Sequence, residues 1–179
     1  MLKIVLAATE SYNESTREFV TYPEFKLELE HSLSSLSKWE SKWEKPFLGD
    51  DSRTDEQTID YIKCMTLTPD TPEEVYSRLT ADDYQKISSY IESSMTATWF
   101  NEKNSKPGRE IIPAEVIYYW MIQSQVPFEC EEWHLNRLIT LLKVCSAKNA
   151  PAKKMSRADQ AAQQRAINEA NRKKYNTSG

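Results

Sequence analysis

The spacing of apolar residues changes once along this chain, and that change limits the folds available to it. Within the first 30 residues, apolar side chains recur at every second position in Leu2–Leu6 and again in Phe25–Leu29, as they do in half-buried strands. From Leu33 onward they recur every three or four positions, which is typical of amphipathic helices. The pattern predicts an α+β, mainly α fold, in which a small N-terminal antiparallel β-sheet packs on a five- or six-helix body.

The segment between the two predicted strands is less regular. Thr9–Arg17 is polar and too long for a tight hairpin turn, so we interpret it as a loop. Phe19–Tyr22 is a candidate backward extension of the second strand. Pro23 is tolerated there only at an edge or a bulge, because proline has no N–H to donate to a β-ladder.

Several helix starts carry recognisable capping sequences. Ser32 precedes the first helical stretch as an N-cap, and Pro46 closes that helix. Thr54 is followed three residues later by Gln57, which is the spacing of a capping box. Thr80 is a further N-cap and is followed by acidic residues in the first turn, where the helix dipole favours them. These signals predict three helices that begin directly after the capping residues.

Two strongly apolar segments follow and are predicted to pair. Pro113–Gln125 is apolar around most of its circumference, so we expect its helix to be buried. Glu129–Cys145 continues after an interruption at Pro127 and is predicted to form one further helix. We interpret the pair as an αα-hairpin at the centre of the core.

Charge divides the chain into an acidic body and a basic tail. Residues 147–179 contain eight basic and two acidic side chains, a net charge of +6, which leaves −10 on residues 1–146 within a total of −4. We predict an acidic globular domain over 1–146, with the sheet in 1–30 and the helical body in 31–146, and a basic tail over 147–179. The tail is predicted to form a basic C-terminal helix that ends near Tyr175. Its apolar face is mostly alanine and buries little area, so this helix is marginal or partly disordered on its own.

Composition excludes several classes of protein. The 3 glycines are too few for a glycine-rich phosphate loop, and no apolar run approaches the ~20 residues that span a bilayer. The first ten residues are too short and turn acidic too early to be a secretory signal. Three isolated cysteines, Cys64, Cys130 and Cys145, are typical of a reduced intracellular protein. We therefore expect no membrane association and a location inside the cell.

The best candidate for a metal-binding or catalytic site is weak. Cys130 and His134 are four residues apart, on one face of the predicted helix, with Glu131 and Glu132 beside them. A zinc site needs three or four ligands, and a catalytic thiolate needs an oriented base and an electropositive setting. Core packing for the cysteine and a hydrogen-bonded histidine explain the pair better. The sequence therefore predicts no catalytic residue, metal site or cofactor, and a protein that is not an enzyme.

Two features could instead bind a partner. Trp39 and Trp43 lie four apart among charged residues, which fits either core packing or a contact surface. The basic tail could bind nucleic acid through phosphate contacts, dock on an acidic protein, or extend into solvent. The acidic body repels phosphate, so binding to nucleic acid is the weaker interpretation.

Three blocks and the chain's end together resemble a family of small proteins from tailed bacteriophages. The blocks are Leu27–Leu48, Thr58–Thr68 and Glu115–Cys145, and the end comprises Lys-Lys-Met-Ser after Pro151 and the final Asn-Thr-Ser-Gly. The resemblance covers nearly the whole chain, including its acidic body and basic tail. The family is associated with tail-gene neighbourhoods and with tail assembly chaperones.

The resemblance implies a non-enzymatic chaperone in the host cell cytoplasm, which binds the long, helical tape measure protein, or another tail protein, during tail morphogenesis. Self-association is also open. An alternative is a structural component of the virion tail, a tube or baseplate adaptor, and a less favoured one is a nucleic-acid-binding accessory protein. The family offers no catalytic motif, so the candidate site residues are partner-binding hypotheses. They are Trp39, Trp43, Phe47, Arg165, Arg172, Lys173 and Lys174.

Overall fold

The structure is a computed structural model and describes residues 1–13, 17–49, 53–98, 100, 112–150 and 157–175. The strands are β1 (Leu2–Leu6), β2 (Thr9–Asn13), β3 (Glu18–Tyr22) and β4 (Phe25–Leu29). The helices are α1 (Leu33–Trp43), α2 (Asp55–Met65), α3 (Glu73–Ser77), α4 (Ala81–Glu92), α5 (Ala114–Gln123), α6 (Leu135–Asn149) and α7 (Arg157–Tyr175). A 3-10 helix, Phe128–Glu132, lies between α5 and α6. The predicted mainly α architecture with a small N-terminal antiparallel sheet is confirmed.

The four strands pair as two antiparallel ladders. β1 pairs with β4, where Ile4 lies opposite Leu27, and β2 pairs with β3, where Ser11 lies opposite Val20. Both ladders keep the same register, so they follow one another along a single two-stranded ribbon. The ladder is interrupted beside Pro23, which has no N–H to donate.

The interpretation of Thr9–Arg17 as a loop is wrong for its first half. Thr9–Asn13 forms β2 because β3 provides a complete antiparallel partner for it. The exposed rings of Tyr12 and Phe19 lie opposite each other in this ladder, with their centroids 5.1 Å apart. Such cross-strand aromatic pairs stabilise a hairpin even where the remaining side chains are polar.

The predicted capping box at Thr54 forms, and the predicted N-caps Ser32 and Thr80 also prove to be capping boxes. The side chains of Ser32, Thr54 and Thr80 each accept the backbone N–H three residues ahead, and the residue at that position bonds back to the cap. Each reciprocal pair satisfies two N–H groups that a helix start would otherwise leave unpaired.

The core lies between the inner face of the ribbon and the helices. Fully buried side chains come from β4, α1, α2, α5 and α6, and they include Leu27, Leu29, Leu33, Leu36, Trp39, Ile62, Met65, Ile117, Met121, Leu135 and Leu138. Each such side chain contributes about 2 kcal/mol of transfer free energy relative to an exposed one. The sheet and the helical body therefore share one hydrophobic core.

The prediction of one helix over Glu129–Cys145 is wrong. Residues 128–132 form the 3-10 helix, Trp133 is extended with ψ 159°, and α6 begins only at Leu135. The extended residue lets His134 form an antiparallel bridge with Ser32, and the Leu135 N–H donates to the carbonyl of His31 at 2.7 Å. Tertiary pairing with the start of α1 therefore replaces the continuous helix.

The chain divides into two compact units, Met1–Ala147 and Lys148–Gly179. The second unit contains α7, whose described side chains, over 160–175, are exposed. Two basic residues of the predicted tail, Lys153 and Lys154, lie outside the described residues. Within the part of the chain that the structure describes, no helix combines the length and the apolar composition needed to cross a membrane.

Candidate protein-binding face

Trp39 and Phe47, two of the hypothesised contact residues, lie in the core. Their side chains are 1% and 6% exposed, and their rings meet edge to face with centroids 5.2 Å apart. Phe47 also stacks on Tyr61 at 3.9 Å, and the indole N–H of Trp39 donates to the carbonyl of Gln57 at 2.9 Å. This burial removes both residues from the candidate contact surface, because their rings are already used in packing.

Trp43 is half-buried at the end of α1. Its indole N–H donates to Oδ2 of Asp60 at 2.9 Å, and Lys42 binds Oδ1 of the same carboxylate. Burial raises the pKa of the Asp60 carboxyl, but the hydrogen bonds from Lys42 and Trp43 outweigh burial and hold that pKa below its ordinary value. Trp43 therefore joins α1 to α2 and keeps part of its ring available to a partner.

The basic residues of the hypothesis lie together on α7. Arg165, Arg172, Lys173 and Lys174 are all exposed, in agreement with a solvated basic helix. Lys173 pairs with Glu169 at 2.9 Å, one turn earlier on the same helix. An exposed pair of this kind contributes little stability, so these cations can exchange it for contacts with an acidic partner.

A chain that ends at Asn149 is expected to keep the free energy of unfolding of the full chain within about 0.5 kcal/mol, because the described side chains of α7 are exposed. Urea denaturation followed by circular dichroism measures this. A loss above 2 kcal/mol would contradict it.

The outward face of α5 is the surface that the sequence analysis missed. Tyr119 and Ile122 are 57% and 62% exposed, although the segment was predicted to be buried. Ala114, Ile117 and Met121 form the buried side of the same helix. Both sides of α5 are apolar, but the core covers only one of them. The prediction of a fully buried helix is therefore wrong. The sequence did contain a sign of this exposed face, because α5 has no continuous polar stripe that could face solvent.

Glu40 fixes the start of α5. This buried carboxylate of α1 accepts the N–H of Ala114 at 2.7 Å with Oε2 and the N–H of Phe47 at 2.6 Å with Oε1. The negative charge lies at the N-terminus of α5, where unpaired N–H groups and the helix dipole favour an anion. Glu40 therefore sets the position of α5, and with it the direction of its outward face.

A groove of about 490 Å³ borders this face. Its apolar lining comes from Leu48, Ile112, Trp120, Ile139 and Leu142, and Gln123 and Lys143 line it as well. Trp120 and Gln123 follow Tyr119 on α5, so the groove and the exposed face share one helix. A face of this kind accepts the apolar stripe of another helix, whose anchoring residues recur every three or four positions.

Cys130 and His134 do not form the helical pair that was considered for a metal. Cys130 is buried in the 3-10 helix, and His134 lies after the extended residue Trp133, so the two do not share one helix face. Nε2 of His134 lies 2.9 Å from the carbonyl oxygen of Tyr90. Among the described residues, no group of three or more His, Cys, Asp and Glu side chains is placed to hold a metal ion.

The outward face of α5 and its groove are thus the candidate site, and their apolar lining is suited to binding an apolar helix face. Comparison with known proteins adds no relative: no protein-family model, curated protein or solved structure matches this chain.

Proposed function

We propose that this protein is a tail assembly chaperone of a tailed bacteriophage, which binds the helical tape measure protein in the host cell cytoplasm. In this proposal the client's helix lies on the outward face of α5 and in the adjoining groove. The function requires reversible contact with a long helix and no reacting group.

The exposure of Tyr119 and Ile122 carries the proposal. A contiguous exposed apolar surface marks an interaction site, and Tyr119 and Ile122 lie one turn apart on α5 beside the apolar groove. Tyrosine is also common among the residues that dominate binding energies. The groove beside Trp120 gives further apolar contacts next to this face.

The negative charge of the body favours a client that carries basic groups beside its apolar stripe. The body carries −10 over residues 1–146, and exposed Glu115 lies on α5 itself. A negative surface speeds encounter with a basic helix and fixes its orientation more than it tightens the complex. Fast encounter with moderate affinity is what a chaperone that leaves its client needs.

Co-expression with the tape measure protein encoded by the same genome tests the proposal. If the long helical protein becomes soluble and co-purifies with this chain, the proposal is supported. If it stays insoluble and unbound, this chain is not a sufficient chaperone, and a structural role in the virion tail becomes the better hypothesis. The chain that ends at Asn149, assayed in parallel, shows whether the basic tail contributes to binding.

The double variant Tyr119→Ser, Ile122→Ser is expected to weaken client binding by about tenfold or more, because it removes the two most exposed apolar contacts of α5. Its free energy of unfolding should change by only about 0.5–1 kcal/mol, since both side chains face solvent. Titration of the client followed by fluorescence anisotropy measures the affinity.

Leu67→Ser is the matched control for this double variant. Leu67 is also exposed and apolar but lies outside α5. Unchanged binding in the double variant, or equal weakening in the control, would contradict the proposed face.

A further inference from the structure

The two histidines of this chain, His31 and His134, lie together in the interior. Their ring centroids are 5.2 Å apart, and the residues are 2% and 4% exposed. His31 lies in the connection from β4 to α1, and His134 directly precedes α6. The pair therefore lies where the start of one helix meets the start of another.

Hydrogen bonds determine where each ring can take up a proton. A carbonyl can only accept, so Nε2 of His134 donates to the carbonyl of Tyr90, and the neutral ring leaves Nδ1 without a proton. This Nδ1 is the only buried side-chain nitrogen or oxygen among the described residues that lacks a hydrogen-bond partner. A proton added there would point at no acceptor and would place a charge beside His31.

The chain around the two histidines joins three helices. The Leu135 N–H donates to the carbonyl of His31 at 2.7 Å, which ties α6 to the start of α1. The side-chain amide of Asn136 donates to the carbonyls of Ile91 and Ser93 at 3.0 and 2.9 Å, which ties α6 to the end of α4. Leu135 and Asn136, which make these bonds, directly follow His134, and the His134 ring packs against both His31 and Tyr90.

We propose that His31 and His134 form an acid-operated latch, in which protonation of His134 at Nδ1 releases the start of α6 from α1 and α4. The latch is separate from the proposed binding face, and it does not require a client.

Burial is the main influence on the pKa of both rings, and it favours their neutral forms. Burial, and to a smaller extent His134, lowers the pKa of His31 to about 3. Burial lowers the pKa of His134 as well, although the Tyr90 carbonyl and Glu30 of the β4 end oppose it and the amino group of Met1 on the β1 side adds to it. From α2, the hydroxyl of Tyr61 lies 2.5 Å from Nδ1 of His31, and burial raises the pKa of that phenol, so it stays protonated.

The direction of the pH effect follows from these shifts. Both rings bind protons less readily in the folded chain than in the unfolded chain, whose histidine pKa is about 6.5. Stability is therefore complete above about pH 6.5 and falls as the pH decreases toward the folded values. Between pH 6.5 and 5 most carboxylates keep their charge, so the histidines dominate this window.

Hydrogen exchange of the wild-type chain between pH 7 and 5, corrected for intrinsic rates, tests the latch. The amide of Leu135 should lose up to about tenfold of its protection per pH unit below 6.5, the limit for one proton taken up on opening. The amides of the β1–β4 ladder should keep theirs. Equal loss in both places, or no loss at Leu135, would overturn the proposal.

His134→Gln is the matched variant, because glutamine keeps an N–H donor for the Tyr90 carbonyl and does not titrate. The pH dependence of Leu135 protection should disappear in it, and persistence would overturn the latch. Side-chain NMR of the two histidines in the wild type is an independent check that needs no variant. Titration of His134 near pH 6.5 without any change at Leu135 would also contradict the proposal.

Discussion

Replacing Glu40 by alanine is expected to lower the free energy of unfolding by about 4 kcal/mol. The change removes the acceptor of two buried backbone N–H groups, those of Phe47 and Ala114. Each buried donor left without a partner costs about 1–3 kcal/mol. Urea denaturation followed by circular dichroism measures the loss.

Glu40→Gln separates the hydrogen bonds from the side-chain volume. Its amide keeps one acceptor oxygen but turns an NH₂ group toward the second N–H donor, so about half of the loss is expected. Glu44→Gln is the matched control, because Glu44 is exposed one turn later, and its change should stay within about 0.5 kcal/mol. Equal effects at the two positions would show that Glu40 does not position α5.

Replacing Trp39 by alanine is expected to lower the free energy of unfolding by about 3–5 kcal/mol. The indole is 1% exposed and packs against Phe47 and Tyr61, so its removal leaves a large cavity in the core. The carbonyl of Gln57 also loses its donor. Urea denaturation followed by circular dichroism, which does not depend on the removed fluorophore, measures the effect.

Trp43→Ala is the comparison that distinguishes packing from partner contact. Trp43 is half-buried and bonded to Asp60, so a smaller loss of about 2 kcal/mol is expected. A loss at Trp39 no larger than this would contradict the place of Trp39 in the core. Because Trp39→Ala destabilises the fold itself, only Trp43 can test whether an aromatic ring of α1 contacts the client.

Much of the fold was predictable because its signals are local. Ser32, Thr54 and Thr80 cap helices through residues only three positions ahead, so short windows of sequence contain the complete motif. The alternation in Leu2–Leu6 and Phe25–Leu29 likewise predicts strands with one buried face. β2 was missed because its stability comes from its partner strand and from the pair of Tyr12 with Phe19.

The candidate site was less predictable, because exposure depends on which neighbours happen to cover a residue. Trp39 and Trp43 have the same side chain on the same helix, yet one is buried and the other half-buried. Tyr119 looked like a core residue within an apolar segment, and the structure leaves it exposed. Periodicity identifies apolar faces but does not tell which of them the same chain covers.

The sequence by itself determined the capped starts of α1, α2 and α4, the strand pair β1–β4, and the separation of an acidic body from a basic tail. These features depend on residues close together in the chain or on composition alone. Only the tertiary structure decided that Glu40 holds the start of α5, that His134 lies against His31, and that one apolar face of α5 remains open. The first two join residues 70 or more positions apart, and the third depends on which elements pack against α5, so no local pattern records any of them.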